Sequence, residues 1–197
     1  MEFHIENSYV YGLEKAVKAS GNPMRTEIDN SKCDEKDFLR GAKLGGARNG
    51  EGHDNFLKGI LVHLDIYAPL YWWKQAQRYH WFDFVSSQST MHCLLKFKVA
   101  DQCVKETDPR VIKIAQEKAD EVLKMELTDP NRNAKWRELV ATLPSGFCLG
   151  ATMTTNYQQL KTMYLQRRHH KLSEWHVFCK WCEGLPHFVE LTGVDKL

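Results

Sequence analysis

Ile60-Leu61-Val62-His63-Leu64-Asp65-Ile66-Tyr67 sets a branched aliphatic at every second position and, from Val62 on, a polar or aromatic residue between, a period of two. Successive side chains of an extended chain point to opposite faces, so Ile60, Val62, Leu64 and Ile66 share one face and Leu61, His63, Asp65 and Tyr67 the other. Three further stretches read the same way: Phe3 and Ile5; Leu95, Phe97 and Val99; and Phe147, Leu149, Ala151 and Met153. Helical stretches lie between these strands, around Gly12 to Lys18, after Pro69 as a first-turn residue, over Val111 to Met125, and around Trp136 to Val140, ending at Pro144. In the Val111 helix the inward residues are expected to be Val111, Ile114, Ala115, Val122 and Leu123. The order has no regular βαβ rhythm, and few connections are long enough for repeated crossovers. The expectation is an α+β fold, a mostly antiparallel sheet packed with helices, in a single domain spanning 1–197. Residues 21–51, rich in Gly, Asn, Asp and Lys and weak in periodicity, are expected to form a loop or flap.

From Asn156 to Trp181 the pattern changes to steps of three and four, through Leu160, Met163, Tyr164, Leu172, Trp175, Phe178, Cys179 and Cys182. This predicts one long amphipathic helix. Arg168 falls on its apolar side, four residues after Tyr164 and four before Leu172. A buried guanidinium needs a counter-charge. An internal carboxylate or a snorkelling side chain satisfies that need as well as a bound phosphate or carboxylate does.

Composition excludes little. The chain has 197 residues and a formal net charge of +2, which gives no electrostatic case for nonspecific nucleic-acid binding, although a local cationic pocket is compatible with it. No apolar run approaches the length of a membrane span, so no membrane partner is expected, and Met1-Glu-Phe-His-Ile-Glu lacks the basic start and apolar core of a signal peptide. A cytoplasmic protein is therefore expected, with its six cysteines as thiols.

Several motifs are weak. Gly41 to Gly52 lacks the ending of a P-loop and the spacing of a dinucleotide fingerprint, which favours a flexible loop. His176, Cys179, Cys182 and His187 suggest zinc, but residues three and six apart drift around a helix, and both cysteines serve the apolar stripe. No strained nucleophile turn of the G-x-S-x-G type is present. Pro69 to His92 concentrates aromatics, amides, a cation and hydroxyls. Such a mixture suits a planar ligand carrying phosphate, and equally an aromatic core helix followed by a Ser-rich turn.

Taken in order, these blocks resemble the flavin-dependent thymidylate synthases. Gly52 to Pro69 is similar, without gaps, to the family's strand running from Gly-His-x-x-Pro-Phe-Glu-His into Ala-Pro. Gln75 and Arg78 match the first two positions of Q-x-x-R-H-R-x-x-S-x-N-x-x-S-x-R, and Arg137 to Pro144 resembles a short helix ending in Leu-Pro. Asn156 and Arg168 match the N-x-R…L-R helix, and Glu174-Trp-His-Val stands where the family often has Gln-Trp-Glu-Ile. There are departures. The His-Arg after Arg78 is Tyr79-His80, the histidine of Phe-Glu-His is Gly59, and the later signature positions fall on Asp83, Val85, Gln88 and Thr90 unless a one-residue shift brings Ser89 onto the second serine.

The resemblance implies reductive methylation of dUMP to dTMP, with FAD as cofactor and NADPH and methylenetetrahydrofolate as co-substrates, in a homotetramer whose active sites form where subunits meet. It implies Gln75, Arg168 and Ser89 as dUMP contacts, and Arg78, His80 and Asn156 as FAD contacts. The departures admit a second expectation, a noncatalytic or repurposed pyrimidine-nucleotide-binding homologue. A third is an interaction protein whose Tyr71 to Phe84 segment packs against a partner.

Overall fold

The computed structural model describes residues 1–48 and 50–197. Four strands are assigned among them: β1 (His4–Tyr11), β2 (Leu61–Pro69), β3 (Asp83–Ser87) and β4 (Cys148–Asn156), in the sheet order β1-β2-β4-β3. The helices are α1 (Leu13–Ala19), α2 (Glu35–Gly45), α3 (Leu70–Ala76), α4 (Thr90–Cys93), α5 (Val99–Gln102), α6 (Pro109–Lys124), α7 (Arg132–Thr142), α8 (Tyr157–Arg167), α9 (Ser173–Glu183) and α10 (Phe188–Thr192). The expected α+β class with an antiparallel sheet is what forms. Tyr157 donates its backbone N–H to Ile60 O at 3.0 Å while Leu70 donates to Phe147 O at 3.0 Å, so β2 and β4 run in opposite directions. Asp65 joins three strands, accepting from Asn7 Nδ2 at 2.9 Å and Thr152 Oγ1 at 2.5 Å. These two bonds hold its carboxyl below the usual range.

In β2 the predicted inner face is realised: Val62, Leu64, Ile66 and Ala68 are fully buried, and Leu61 and His63 are exposed. Each large aliphatic side chain so buried contributes about 1.5–3 kcal/mol. The predicted third strand does not form. Leu94–Lys96 is a 3₁₀ turn and Val99 opens α5, with Leu94 and Val99 buried and Leu95 and Phe97 packed at the margin of the core. Three alternate apolar residues reflect turn geometry here, not pleating. The strand that does form nearby, β3, is exposed along its whole length, so no buried face gives it a period.

The chain separates into two compact units, one of Met1–His4, Ile66–Ala76 and Ser86–Ala151, the other of Ile5–Asp65, Gln77–Val85 and Thr152–Leu197. The first has a core of Leu94, Val99, Cys103, Ala115, Ala119, Leu139 and Phe147. Of the residues expected inward on α6, Ala115 and Val122 are buried, whereas Val111, Ile114 and Leu123 are exposed. The inward stripe runs through Ile112, Ala115, Ala119 and Val122 instead, so two alanines and a neighbouring isoleucine take the places expected of Val111, Ile114 and Leu123.

In the second unit, Tyr157 and Tyr164 of α8 meet Phe188 of α10 at 5.3 Å and 6.3 Å, and Tyr164 Oη donates to Glu183 Oε1 of α9 at 2.8 Å. Residues 35–45, expected within a loop, are helix α2. Asp34 caps it, accepting from Asp37 N at 3.0 Å, while Asp37 Oδ2 accepts from Asp34 N at 3.2 Å. Its buried positions are Asp37, Gly41 and Gly45, so the inward face has no apolar side chain to betray it. Glycine is required at 45, where a Cβ would collide with Leu191 O, and at 41 a Cβ would press on Leu191 Cδ2 at 3.2 Å. No helix of the described residues is long and apolar enough to cross a membrane.

Candidate functional site

The long helix expected over Asn156 to Trp181 is two helices. α8 ends at Arg167 and α9 begins at Ser173, because Arg167-Arg168-His169-His170-Lys171 places a run of basic side chains where the stripe would have to stay buried. Apolar periodicity survives the break, as Leu160, Met163, Trp175, Phe178, Cys179 and Cys182 are all buried. His170 shapes the turn by accepting Leu172 N at Nδ1, 3.1 Å. Burial, and then the charge of Arg167, lower its pKa, so the imidazole is neutral near pH 7 and free to accept.

Arg168 is the C-cap residue of α8, donating its backbone N–H to Tyr164 O at 2.9 Å. Its side chain is half-buried, and Nη1 donates to Val194 O at 3.1 Å. No carboxylate of the described residues lies within ion-pair distance of it, so the internal-carboxylate account fails. A carbonyl and the negative end of α8 stabilise the charge without neutralising it, and the other guanidinium donors stay available. The same charge opposes burial at Cys179, whose thiol is pushed up to about 11 mainly by desolvation.

Arg167 and Tyr79, neither of them among the expected ligand contacts, meet at the same end of α8. Arg167 Nε donates to Tyr79 Oη at 2.7 Å, and Tyr79 Oη donates to Gln166 Oε1 at 3.0 Å. The guanidinium lies 5.4 Å from the Tyr79 ring centroid and 4.7 Å from that of the fully buried Trp175. This stack fixes the turn at 77–82 against the start of α9 and brings Arg78 and His80 into the same unit as Arg168. Arg78 is exposed without an ion pair among the described residues, and His80 packs against exposed Trp81 at 5.1 Å. Arg167, Tyr79 and Trp175 thus form a cation–ring stack that holds the turn carrying exposed Arg78 and His80, chemistry fit to bind an anion attached to a planar group. The run of basic residues at 167–171 was the available signal for it.

The other expected residues lie on other elements. Asn156 is buried at the opposite end of α8, where Oδ1 accepts Gln159 N at 2.9 Å as a helix cap. Twelve residues of helical rise separate it from Arg168 by about 18 Å. Gln75 is half-buried on α3, and Ser89 caps α4, accepting from Met91 N at 3.2 Å; both belong to the first unit. Gly59 closes a 3₁₀ turn against α1, where a Cβ would lie 3.1 Å from Ala16 Cβ. Cys179 and Cys182 are buried on α9, in keeping with their place in the apolar stripe.

Solved structures share this fold. The flavin-dependent thymidylate synthase of Helicobacter pylori, complexed with FAD and dUMP, matches over 100% of both chains with a TM-score of 0.72 at 15% identity. A second structure of that enzyme with FAD and dUMP matches over 99% of this chain and 98% of its own, with a TM-score of 0.71 at 15% identity. The UMP/dUMP methylase PolB of Streptomyces cacaoi, bound to 5-Br dUMP, matches over 98% and 92% with a TM-score of 0.62 at 14% identity. No family model and no curated protein matches the sequence. The chain has the fold of these enzymes.

Proposed function

We propose that this chain is a pyrimidine-nucleotide enzyme of the flavin-dependent thymidylate synthase type, methylating dUMP reductively with methylenetetrahydrofolate and NADPH. The observation that carries the reading is Arg168, a half-buried guanidinium with one carbonyl contact and no carboxylate counter-ion among the described residues. The sequence resemblance pairs it with the family's arginine, and the full-length likeness to structures holding dUMP supports a nucleotide phosphate as its counter-ion. The forked guanidinium would hold phosphate oxygens, with Gln75 and Ser89 as further dUMP contacts. As in the family, the site is proposed to be completed by neighbouring subunits of a cytoplasmic homotetramer, each subunit one domain.

Of the FAD contacts, Arg78 and His80 fit the role of holding a large anionic cofactor, being exposed and free of ion pairs among the described residues. Asn156 fits only through its amide nitrogen, since its oxygen caps α8. A flavin bound there would supply the redox chemistry. The chain's own residues would orient the nucleotide, neutralise phosphate charge and exclude water.

A second reading is a nucleotide-binding homologue without the flavin reaction. Two observations favour it: Tyr79, in place of the family's histidine, is engaged by Arg167, and Gly59, in place of another, is packed on Ala16. Release of tritium from dUMP labelled at C5, measured with FAD, NADPH and methylenetetrahydrofolate, tests the first reading. Tight dUMP binding by calorimetry without tritium release selects the second; absence of both refutes each.

A further inference from the structure

Between α4 and the first turn of α7 lies a cleft of about 410 Å³, outside the residues assigned to nucleotide or flavin. Its floor includes buried Leu94 and half-buried Leu95, and Trp136 forms a wall. Arg132, the first residue of α7, lies one helical turn before Trp136 and on the same face. Its Nε is buried without a hydrogen-bond partner, and no group of the described residues accepts from the rest of the guanidinium. Guanidinium donors in folded proteins are normally satisfied, so a half-buried arginine lining a cleft with no internal acceptor indicates an acceptor supplied from outside to its accessible nitrogens. His92 and Asn133 line the same space, and neither side chain has a partner among the described residues. Asp129 also lines the cleft, with Oδ1 accepting Asn131 N at 2.8 Å, which disfavours a highly charged anion there.

We infer that this cleft is a second ligand site, which takes a small monoanionic carboxylate on a flat apolar body. Arg132 binds the carboxylate, with His92 and Asn133 able to donate beside it, and Trp136, Leu94 and Leu95 receive the ring. Its volume is that of a small-molecule pocket, and its mixture of apolar surface with few polar heads is the usual composition of one. None of its lining residues is assigned to nucleotide or flavin, although Met91 among them donates its backbone N–H to Ser89 Oγ, so competition by dUMP is part of the test.

Indole-3-acetate is a suitable probe and indole-3-acetamide its neutral isostere, both titrated into the full chain by calorimetry with ligand-observed NMR. The acetate is expected to bind at least about ten-fold more tightly than the amide, the usual worth of a hydrogen bond to a charged group. Arg132→Gln is expected to remove that preference with the thermal midpoint unchanged, and Arg132→Lys to retain part of it. Equal binding of acetate and amide, no binding of either, or unchanged acetate affinity in Arg132→Gln overturns the inference. Displacement of the acetate by dUMP overturns the claim of a separate site. Arg168→Ala should leave acetate binding intact, so failure of the nucleotide reading is seen apart from failure of this one.

Discussion

Lys161 is fully buried on α8, and replacing it with methionine removes a charge on which several groups depend. Its ammonium donates to Gly45 O at 2.8 Å, to Ala47 O at 2.5 Å and to Asp54 Oδ2 at 3.2 Å. Asp54 is 2% exposed, and its other oxygen accepts from Gln158 Nε2 at 2.9 Å. Methionine fills similar volume, so the cost is electrostatic rather than a cavity. The variant leaves a buried carboxylate with one neutral donor and two carbonyls without theirs. Breaking a buried pair from one side costs about 3–5 kcal/mol. For a chain of this size each kcal/mol lowers the midpoint by about 2–4 °C, so Lys161→Met should melt about 6–20 °C below the parent. Lys161→Met/Asp54→Leu removes the stranded carboxylate and should recover part of the loss. Urea unfolding and calorimetry on the three proteins provide the measurement. A single-variant loss under about 1 kcal/mol, or a double variant no more stable than the single, refutes the assignment of Lys161 as the charge that holds Asp54 and the 45–47 segment.

Arg168→Ala should weaken dUMP binding at least about ten-fold by calorimetry, with the circular dichroism spectrum unchanged; an unchanged affinity removes the phosphate role. At Asp37, burial raises the carboxyl's pKa, but hydrogen bonds from Lys18 at 2.8 Å and Arg40 at 2.6 Å outweigh it and hold the group below the usual range. The carboxylate therefore binds protons less readily folded than unfolded, so its stabilisation is complete above about pH 4 and is lost as the pH falls further. Asp37→Asn should flatten that acid limb in pH-dependent urea titrations, and an unchanged limb would contradict the network. Gly45→Ala would stabilise an ordinary helix interior by about 0.5–1 kcal/mol, but here the added Cβ meets Leu191 O, so thermal melting should show a loss.

Residues whose role depends on one buried face were legible from order alone. The inner face of β2 and the apolar residues of α8 and α9 are buried as periodicity requires, because burial selects side chains at the spacing of the backbone. Where that selection is absent the reading fails: β3 is solvated on both faces, and α2 buries aspartate and glycine. Arg168 was visible as a charge in an apolar pattern, but its environment was not. The place of Arg167 is not legible in order, because its bond to Tyr79 spans 88 positions.

The sequence by itself determined the α+β class, the buried face of β2, and a cation on an apolar stripe whose charge needed a partner. Tertiary structure decided that the helix carrying this cation breaks at it, that a carbonyl rather than a carboxylate meets it, and that Arg167, Tyr79 and Trp175 form a stack beside it. The physical reason is range. Periodicity records the side of an element from which water is excluded, whereas a counter-charge is found or missed by whichever remote segment folds against it.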